Sequence, residues 1–327
     1  MSYKVLLTDA IAEEPFCRIS EMAEVVVAPD NRPETLTSAA SDADVIVVRS
    51  PLPAGLFDQA PRLRGVVRHG AGIDMIPLET ANHHGVAVAN VPGANAVTVA
   101  EFALGQMLNL ARLLSDADRT MREAGWAATK ALADNTIELR GKRLGIVGIG
   151  DIGQALAGMA HYGLQMSIAA YRPSMAPAAD YIEMLPLPEL FAQSDFIVIA
   201  CPLTDETRGM VSRDLIARMK KHAMLVNIAR GPVIDEPALI DALYSKSIRA
   251  AALDVYTTQP LPADSPLLKL DNVLLSGHIA GMTQESVMRI GHKVADQVLQ
   301  LLQGKLPEHL CNTQALTAIE ARWQQLI

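Results

Sequence analysis

The chain has 327 residues, half of them hydrophobic and 20% charged, and carries a formal net charge of -8. That length exceeds one ordinary core and suits two domains, while the acidic balance argues against nucleic acid or an anionic membrane as the main partner. Cys17, Cys201 and Cys311 are too sparse for a disulfide framework or a zinc site, so a reducing compartment and no metal are expected. The first residues lack a signal h-region and no apolar run is long enough to span a bilayer, so a cytoplasmic location is expected.

In chain order, short β-branched runs alternate with helical stretches. The first series includes Val5 to Leu7, Val45 to Val48, Val66-Val67 and Val86 to Asn90. Such alternation predicts a parallel sheet covered on both faces. One long helix is predicted from about Thr98 to Arg122, with Val99, Phe102, Ala103, Met107, Leu110, Ala111 and Leu114 at helical spacing. A second series of six strands begins at Leu144: LGIVG, MSIAAY, FIVIA, MLVNI, AAALDV and VLLS. A last long helix follows Thr283, its expected N-cap, and stops near Gly304. The remaining residues have no strand series of their own and are expected to return to the first domain.

The turn after the Leu144 strand reads Gly148-x-Gly150-x-x-Gly153 and opens a helix. That context is what gives the pattern meaning. Gly148 permits the tight turn, Gly150 lets backbone approach a pyrophosphate, and Gly153 lets helix and strand pack closely. Free N–H groups at the helix start, around Asp151 and Ile152, favour an anion. The second series is therefore read as a Rossmann-type dinucleotide-binding domain. About 20 residues on, where NAD enzymes carry an acidic residue for the ribose hydroxyl, the chain has Arg172, followed by Ser174. A guanidinium suits a 2′-phosphate, so NADP(H) is favoured over NAD(H). The expected fold class is α/β, with two Rossmann-like or flavodoxin-like parallel-sheet domains. Residues 99–283, the nucleotide domain, are inserted in a discontinuous substrate domain of residues 1–98 and 284–327, with the ligand in the cleft between.

Several runs, in order, resemble the D-isomer-specific 2-hydroxyacid dehydrogenases over nearly the whole chain. They are HGAGIDMIP from His69, NVPGANAVTVAE from Asn90, the glycine turn, CPLTDETRGMVS from Cys201, NIARGPVIDE from Asn227, AALDVYTTQPLP from Ala251 and GHIAGMT from Gly277. The resemblance implies reduction of a small 2-oxo acid, or oxidation of its 2-hydroxy acid, by hydride transfer. It implies that Arg230 holds the substrate carboxylate and polarises the carbonyl, and that His278 is the acid/base. A planar guanidinium fork and an imidazole titrating near neutrality suit those tasks. It places Ala71, Gly72 and Asn95 at the substrate, Asp254 at the nicotinamide carboxamide, and Cys201, Pro202 and Thr207 at the cofactor. Arg68 and His69 could meet a further anionic group of the substrate or be structural. A homodimer formed through the nucleotide domains is also implied, and no separate regulatory domain is expected after the last helix.

Two positions depart from the family pattern. Gln259 stands where a glutamate normally pairs with the histidine, and Gly277 stands where proline precedes it. An uncharged partner leaves the imidazole neutral to lower pH than a carboxylate would. The same Gln–His pair occurs in formate dehydrogenases of the superfamily, whose reaction needs no proton transfer. Formate oxidation is therefore one alternative reading. A nucleotide-sensing protein without turnover is the other.

Overall fold

The structure, a computed structural model, describes residues 3–326; residues 1, 2 and 327, at the ends of the expected substrate domain, lie outside the described residues. The chain divides into two compact units, Met1–Asn95 with Met282–Ile327, and Ala96–Gly281.

The first unit is built on five parallel strands: β1 (Tyr3–Leu7), β2 (Ala23–Val27), β3 (Val45–Val48), β4 (Gly65–Arg68) and β5 (Ala87–Ala89). Their order is β2-β1-β3-β4-β5, the flavodoxin-like winding. All four residues of β3 are buried, because the strand has cover on both faces. Val45, Val47 and Val67 pack with Ile290, Val294, Val298 and Leu301 of helix Gln284–Leu302. Ile46, Val48 and Val66 pack on the other face with Leu36, Leu56 and Phe57. Thr283 caps the long helix by accepting from the Ser286 N–H at 3.1 Å. Beyond it, Leu310 bridges Ala89, buried Asn312 accepts from the Val88 N–H at 2.9 Å, and the Trp323 indole donates to the Arg64 carbonyl at 3.0 Å. These bonds tie the chain's last segment to β4 and β5.

The second unit has seven parallel strands: β6 (Arg143–Val147), β7 (Ser167–Tyr171), β8 (Ile182–Met184), β9 (Phe196–Ile199), β10 (Met224–Asn227), β11 (Ala250–Leu253) and β12 (Val273–Leu275). The order β12-β11-β10-β9-β6-β7-β8 reverses direction between β6 and β9. Ligands of such sheets bind beyond the strand ends at that reversal.

Three expectations need correction. β2 and β8 lie outside the predicted runs, and both are edge strands. β8 spans three residues with Glu183 at its centre, whereas β2 ends in Val25 to Val27, a run as apolar as Val5 to Leu7, behind a charged Glu24. The single helix predicted over 98–122 is broken at Leu113, in the left-handed region at φ 53°, into Ala96–Arg112 and Leu114–Ala131, and the second is itself kinked at Gly125, φ 78°. Asn109 spans the break, accepting from the Ser115 N–H at 2.9 Å and donating to its hydroxyl at 2.7 Å.

Candidate active site

The glycine turn joins β6 to helix Asp151–Gly158. Gly148 has φ 99°, and a Cβ there would stand 2.6 Å from the Cys201 nitrogen. A Cβ on Gly153 would stand 2.3 Å from the Gly148 carbonyl oxygen. These two glycines are therefore demanded by the protein's own backbone. Gly150 is different: its φ is −84°, and nothing lies within 4 Å of where a Cβ would stand. No side chain caps this helix, so the first N–H groups, at Asp151, Ile152 and Gly153, are the kind of unpaired donors an anion uses. The turn thus fits a dinucleotide pyrophosphate on steric and hydrogen-bonding grounds.

Arg172 follows β7 directly. Its Nε and Nη2 both donate to the Ala176 carbonyl, at 3.1 and 2.7 Å, and Nη2 also bonds the Pro177 carbonyl. Ser174 accepts from the Ala176 N–H at 3.4 Å. Both side chains brace the 172–177 loop. After β9, burial holds the Cys201 thiol up at about 11, so it stays protonated. Pro202 is exposed. Buried Thr207 donates to the Pro202 carbonyl at 2.7 Å and accepts from the Thr204 N–H at 2.7 Å, stapling that loop to itself.

The catalytic candidates stand beyond the carboxyl ends of β10, β11 and β12, which are neighbours in the sheet. Buried Asn227, the last residue of β10, accepts from the Ala229 N–H at 3.1 Å and donates to the Arg230 carbonyl at 3.1 Å. That bracket shapes the turn that carries Arg230, whose Nη1 donates to the Ala229 carbonyl at 2.8 Å. A Cβ on Gly231 would stand 1.9 Å from the Tyr256 carbonyl carbon, so only glycine lets the Arg230 turn press against the segment that leads to Gln259.

His278 follows β12 with φ 59°. Its Nδ1 lies 3.1 Å from Oε1 of Gln259. The Gln259 amide nitrogen donates to the Tyr256 carbonyl at 3.4 Å, which leaves its oxygen for the imidazole. Nδ1 therefore carries the hydrogen in the neutral ring, and Nε2 holds the lone pair. Tyr256 also reaches this loop: its hydroxyl donates to the Ser276 carbonyl at 2.7 Å and accepts from the Ser276 N–H at 3.1 Å. Asp254, 2% exposed, accepts from the Ser276 hydroxyl and from the N–H groups of Ile279 and Ala280.

In the first unit, the residues after β4 form a turn whose carbonyls are tied back. Arg68 donates to the carbonyls of His69 at 2.8 Å, Gly72 at 3.1 Å and Val48 at 3.0 Å, and these bonds shape the turn. The Val91 N–H bonds the Gly70 carbonyl at 2.9 Å, and Asn90 donates to the Ala71 carbonyl at 2.6 Å. Among the described residues, the N–H groups of Ala71 and Gly72 have no backbone partner. Asn95 is half-buried, just before helix Ala96–Arg112. His69 is buried and its Nε2 lacks a partner; burial first, then Arg49 and Arg68, hold its pKa down at about 4.

Sequence reasoning missed Asn227, Tyr256, Ser276 and the positioning part played by Arg68. Asn227 was visible as a polar residue closing an apolar strand, but its bonds depend on the turn that follows. Among the described residues, no group of three or more His, Cys, Asp or Glu side chains could hold a metal, and no helix is long and apolar enough to cross a membrane.

Residues 104–280 match the NAD-binding domain of the D-isomer specific 2-hydroxyacid dehydrogenases. The D-3-phosphoglycerate dehydrogenase of Methanocaldococcus jannaschii is 38% identical over 314 residues, which is 94% of this chain and 59% of that protein; this chain thus spans about three fifths of that relative. The glyoxylate reductase of Korarchaeum cryptofilum is 35% identical over 325 residues, covering 97% of this chain and 98% of that one. The structure of an NADPH-dependent glyoxylate/hydroxypyruvate reductase of Sinorhizobium meliloti, in complex with NADP and malonate, superposes with a TM-score of 0.85 at 27% identity. It covers 95% of this chain and 97% of its own.

Proposed function

This chain belongs to the D-isomer-specific 2-hydroxyacid dehydrogenases, and from that premise we propose that it interconverts a short 2-oxo acid and its 2-hydroxy acid with a nicotinamide cofactor. The observation that carries the reading is the Gln259–His278 contact at 3.1 Å, beyond the end of β12, with Arg230 beyond β10 in the same sheet. The nicotinamide, when bound, supplies or receives the hydride. Arg230 holds the substrate carboxylate and stabilises negative charge growing on the carbonyl oxygen. In reduction His278 acts as the imidazolium, giving its Nε2 proton to that oxygen and ending as the neutral ring; in oxidation the neutral Nε2 withdraws the proton from the hydroxyl. The Ala71 and Gly72 N–H groups are read as substrate-binding donors.

Gly148, Gly150, Asp151, Ile152 and Gly153 would hold the pyrophosphate. The absence of an acidic residue after β7 supports NADP(H) over NAD(H), and the solved reductase in complex with NADP is in keeping with that. Asp254 would face the carboxamide while remaining bonded to the 276–280 loop. A second copy of the chain is the expected partner, because helix Leu114–Ala131 buries none of its residues yet exposes Leu114, Met121 and Trp126.

The test is loss of reduced-nicotinamide absorbance when glyoxylate or hydroxypyruvate is added to enzyme and NADPH. Arg230→Ala is expected to lower both affinity for the acid and rate, and His278→Ala mainly rate. A second reading, formate oxidation, is favoured by the uncharged Gln259 partner; appearance of reduced cofactor on adding formate, with no turnover of 2-oxo acids, would establish it instead. Cofactor binding without turnover on any of these acids would point to a nucleotide sensor.

A further inference from the structure

His278 is one of five described residues other than glycine with positive φ. A side-chain-bearing residue holds that left-handed conformation only when its surroundings compel it. Gly277 before it is exposed and has no atom within 4 Å of a Cβ position, so nothing packed against it does the compelling. The bonds converge instead on Asp254. Its backbone carbonyl accepts from the His278 N–H at 2.8 Å. Its carboxylate Oδ1 accepts from the Ser276 hydroxyl at 2.6 Å and from the Ile279 N–H at 2.9 Å, and Oδ2 accepts from the Ala280 N–H at 2.9 Å. Four donors, spread over residues 276–280 on both sides of the imidazole, therefore end on one residue. Asp254 itself is anchored, since its N–H donates to the Asn227 carbonyl at 3.1 Å.

We propose that Asp254 is a positioning residue for His278: it gathers the 276–280 loop on its carboxylate and so fixes the left-handed turn that aims the imidazole. The chemistry requires a carboxylate. Two oxygens must accept from N–H groups on successive residues, and an asparagine would turn an NH₂ group toward one of those donors. A charge this buried is tolerated because its partners are hydrogen-bond donors. The same network ties the loop to the strand that carries the other catalytic candidate. Asn227 bonds Asp254 through its carbonyl and brackets the Arg230 turn through its side chain, so one short relay sets both turns.

The inference rests on the assignment of His278 as the acid/base, and a double-mutant cycle separates the two. Single-turnover reduction of glyoxylate is measured for the parent, Asp254→Asn, His278→Ala and the double variant. The expected result is a loss of about 100-fold for Asp254→Asn in the parent and under 3-fold in the His278→Ala background, because a loop with no imidazole has nothing to aim. Hydrogen exchange of the 276–281 segment should speed up. A loss of similar size in both backgrounds, or unchanged exchange of that segment, would overturn the proposal by assigning the effect of Asp254 to the cofactor alone or to general folding. If His278→Ala retains full activity, the acid/base assignment itself falls. Should Asp254→Asn not fold, Ser276→Ala removes one of the four donors; about a 5-fold loss confined to the His278-containing background supports the proposal, and no loss there counts against it.

Discussion

Oε1 of Gln259 faces Nδ1 of His278 at 3.1 Å, so at that nitrogen the imidazole is oriented by an amide, where the family pattern has a glutamate. Orientation survives the exchange; charge does not. An amide fixes the tautomer without favouring the protonated ring.

Reduction consumes a proton, so it should fall as pH rises and the imidazole loses its proton, while oxidation rises over the same interval. Gln259→Glu places a negative charge beside the ring and favours imidazolium, which should move the falling limb of reduction up by about one pH unit. Steady-state pH profiles of both proteins check this, and superimposable profiles would refute it.

The three glycines of the cofactor turn should separate by readout. Gly150→Ala meets nothing within 4 Å and should leave Tm within about 2 °C of the parent, yet weaken cofactor binding at least tenfold. Gly153→Ala, which drives a methyl to 2.3 Å from the Gly148 carbonyl, should lower stability by about 1–3 kcal/mol. Thermal melts and cofactor titrations of the two variants make the comparison.

His69 gives the protein an acid limb. Its folded pKa is about 4, below the ordinary 6.5, so the unfolded chain binds the proton more readily over that interval. Stability therefore falls as pH drops from about 6.5 toward 4, by on the order of 3 kcal/mol for a shift of this size. In urea titrations across that range, His69→Phe should flatten the dependence; a slope equal to the parent's would assign the acid limb to other groups.

Arg172→Asp should exchange a partner for a 2′-phosphate for a partner for the ribose hydroxyl. The ratio of NADPH to NADH affinity is expected to fall by at least tenfold, as measured by fluorescence titration. Because Arg172 also binds the Ala176 and Pro177 carbonyls, a Tm measured alongside separates loop collapse from lost recognition.

Trp126, just past the kink at Gly125, is 74% exposed in a segment, Leu114–Ala131, with no buried residue. Paired substitutions Met121→Glu and Trp126→Glu should shift the mass found by light scattering toward that of one chain, about 35.1 kDa. A parent that already runs at that mass would remove the reason for a dimer.

The parallel-sheet architecture was legible because central strands covered on both faces must be apolar throughout, as Val45 to Val48 and Phe196 to Ile199 are. The glycine turn was legible for a related reason. Gly148 and Gly153 answer to backbone atoms close by, so their spacing repeats wherever that turn is made. Edge strand β8 escaped because a three-residue, half-exposed strand admits a charge, Glu183, at its centre; β2 carries Val25 to Val27 and could have been read from them. The break at Leu113 escaped because apolar spacing continues across it, and the Asn109–Ser115 bonds that stabilise it join residues whose pairing no periodicity displays.

The amino-acid string by itself determined the class of fold, the phosphate-binding turn and the family, since each depends on local spacing or on runs read in order. The tertiary structure alone decided which polar atoms meet. Arg68 turns onto the carbonyls of its own loop, Arg172 braces residues 176 and 177, and Asp254 collects the donors around His278. A guanidinium or carboxylate has several possible partners of similar strength, and the choice among them belongs to the backbone groups that folding brings within about 3 Å.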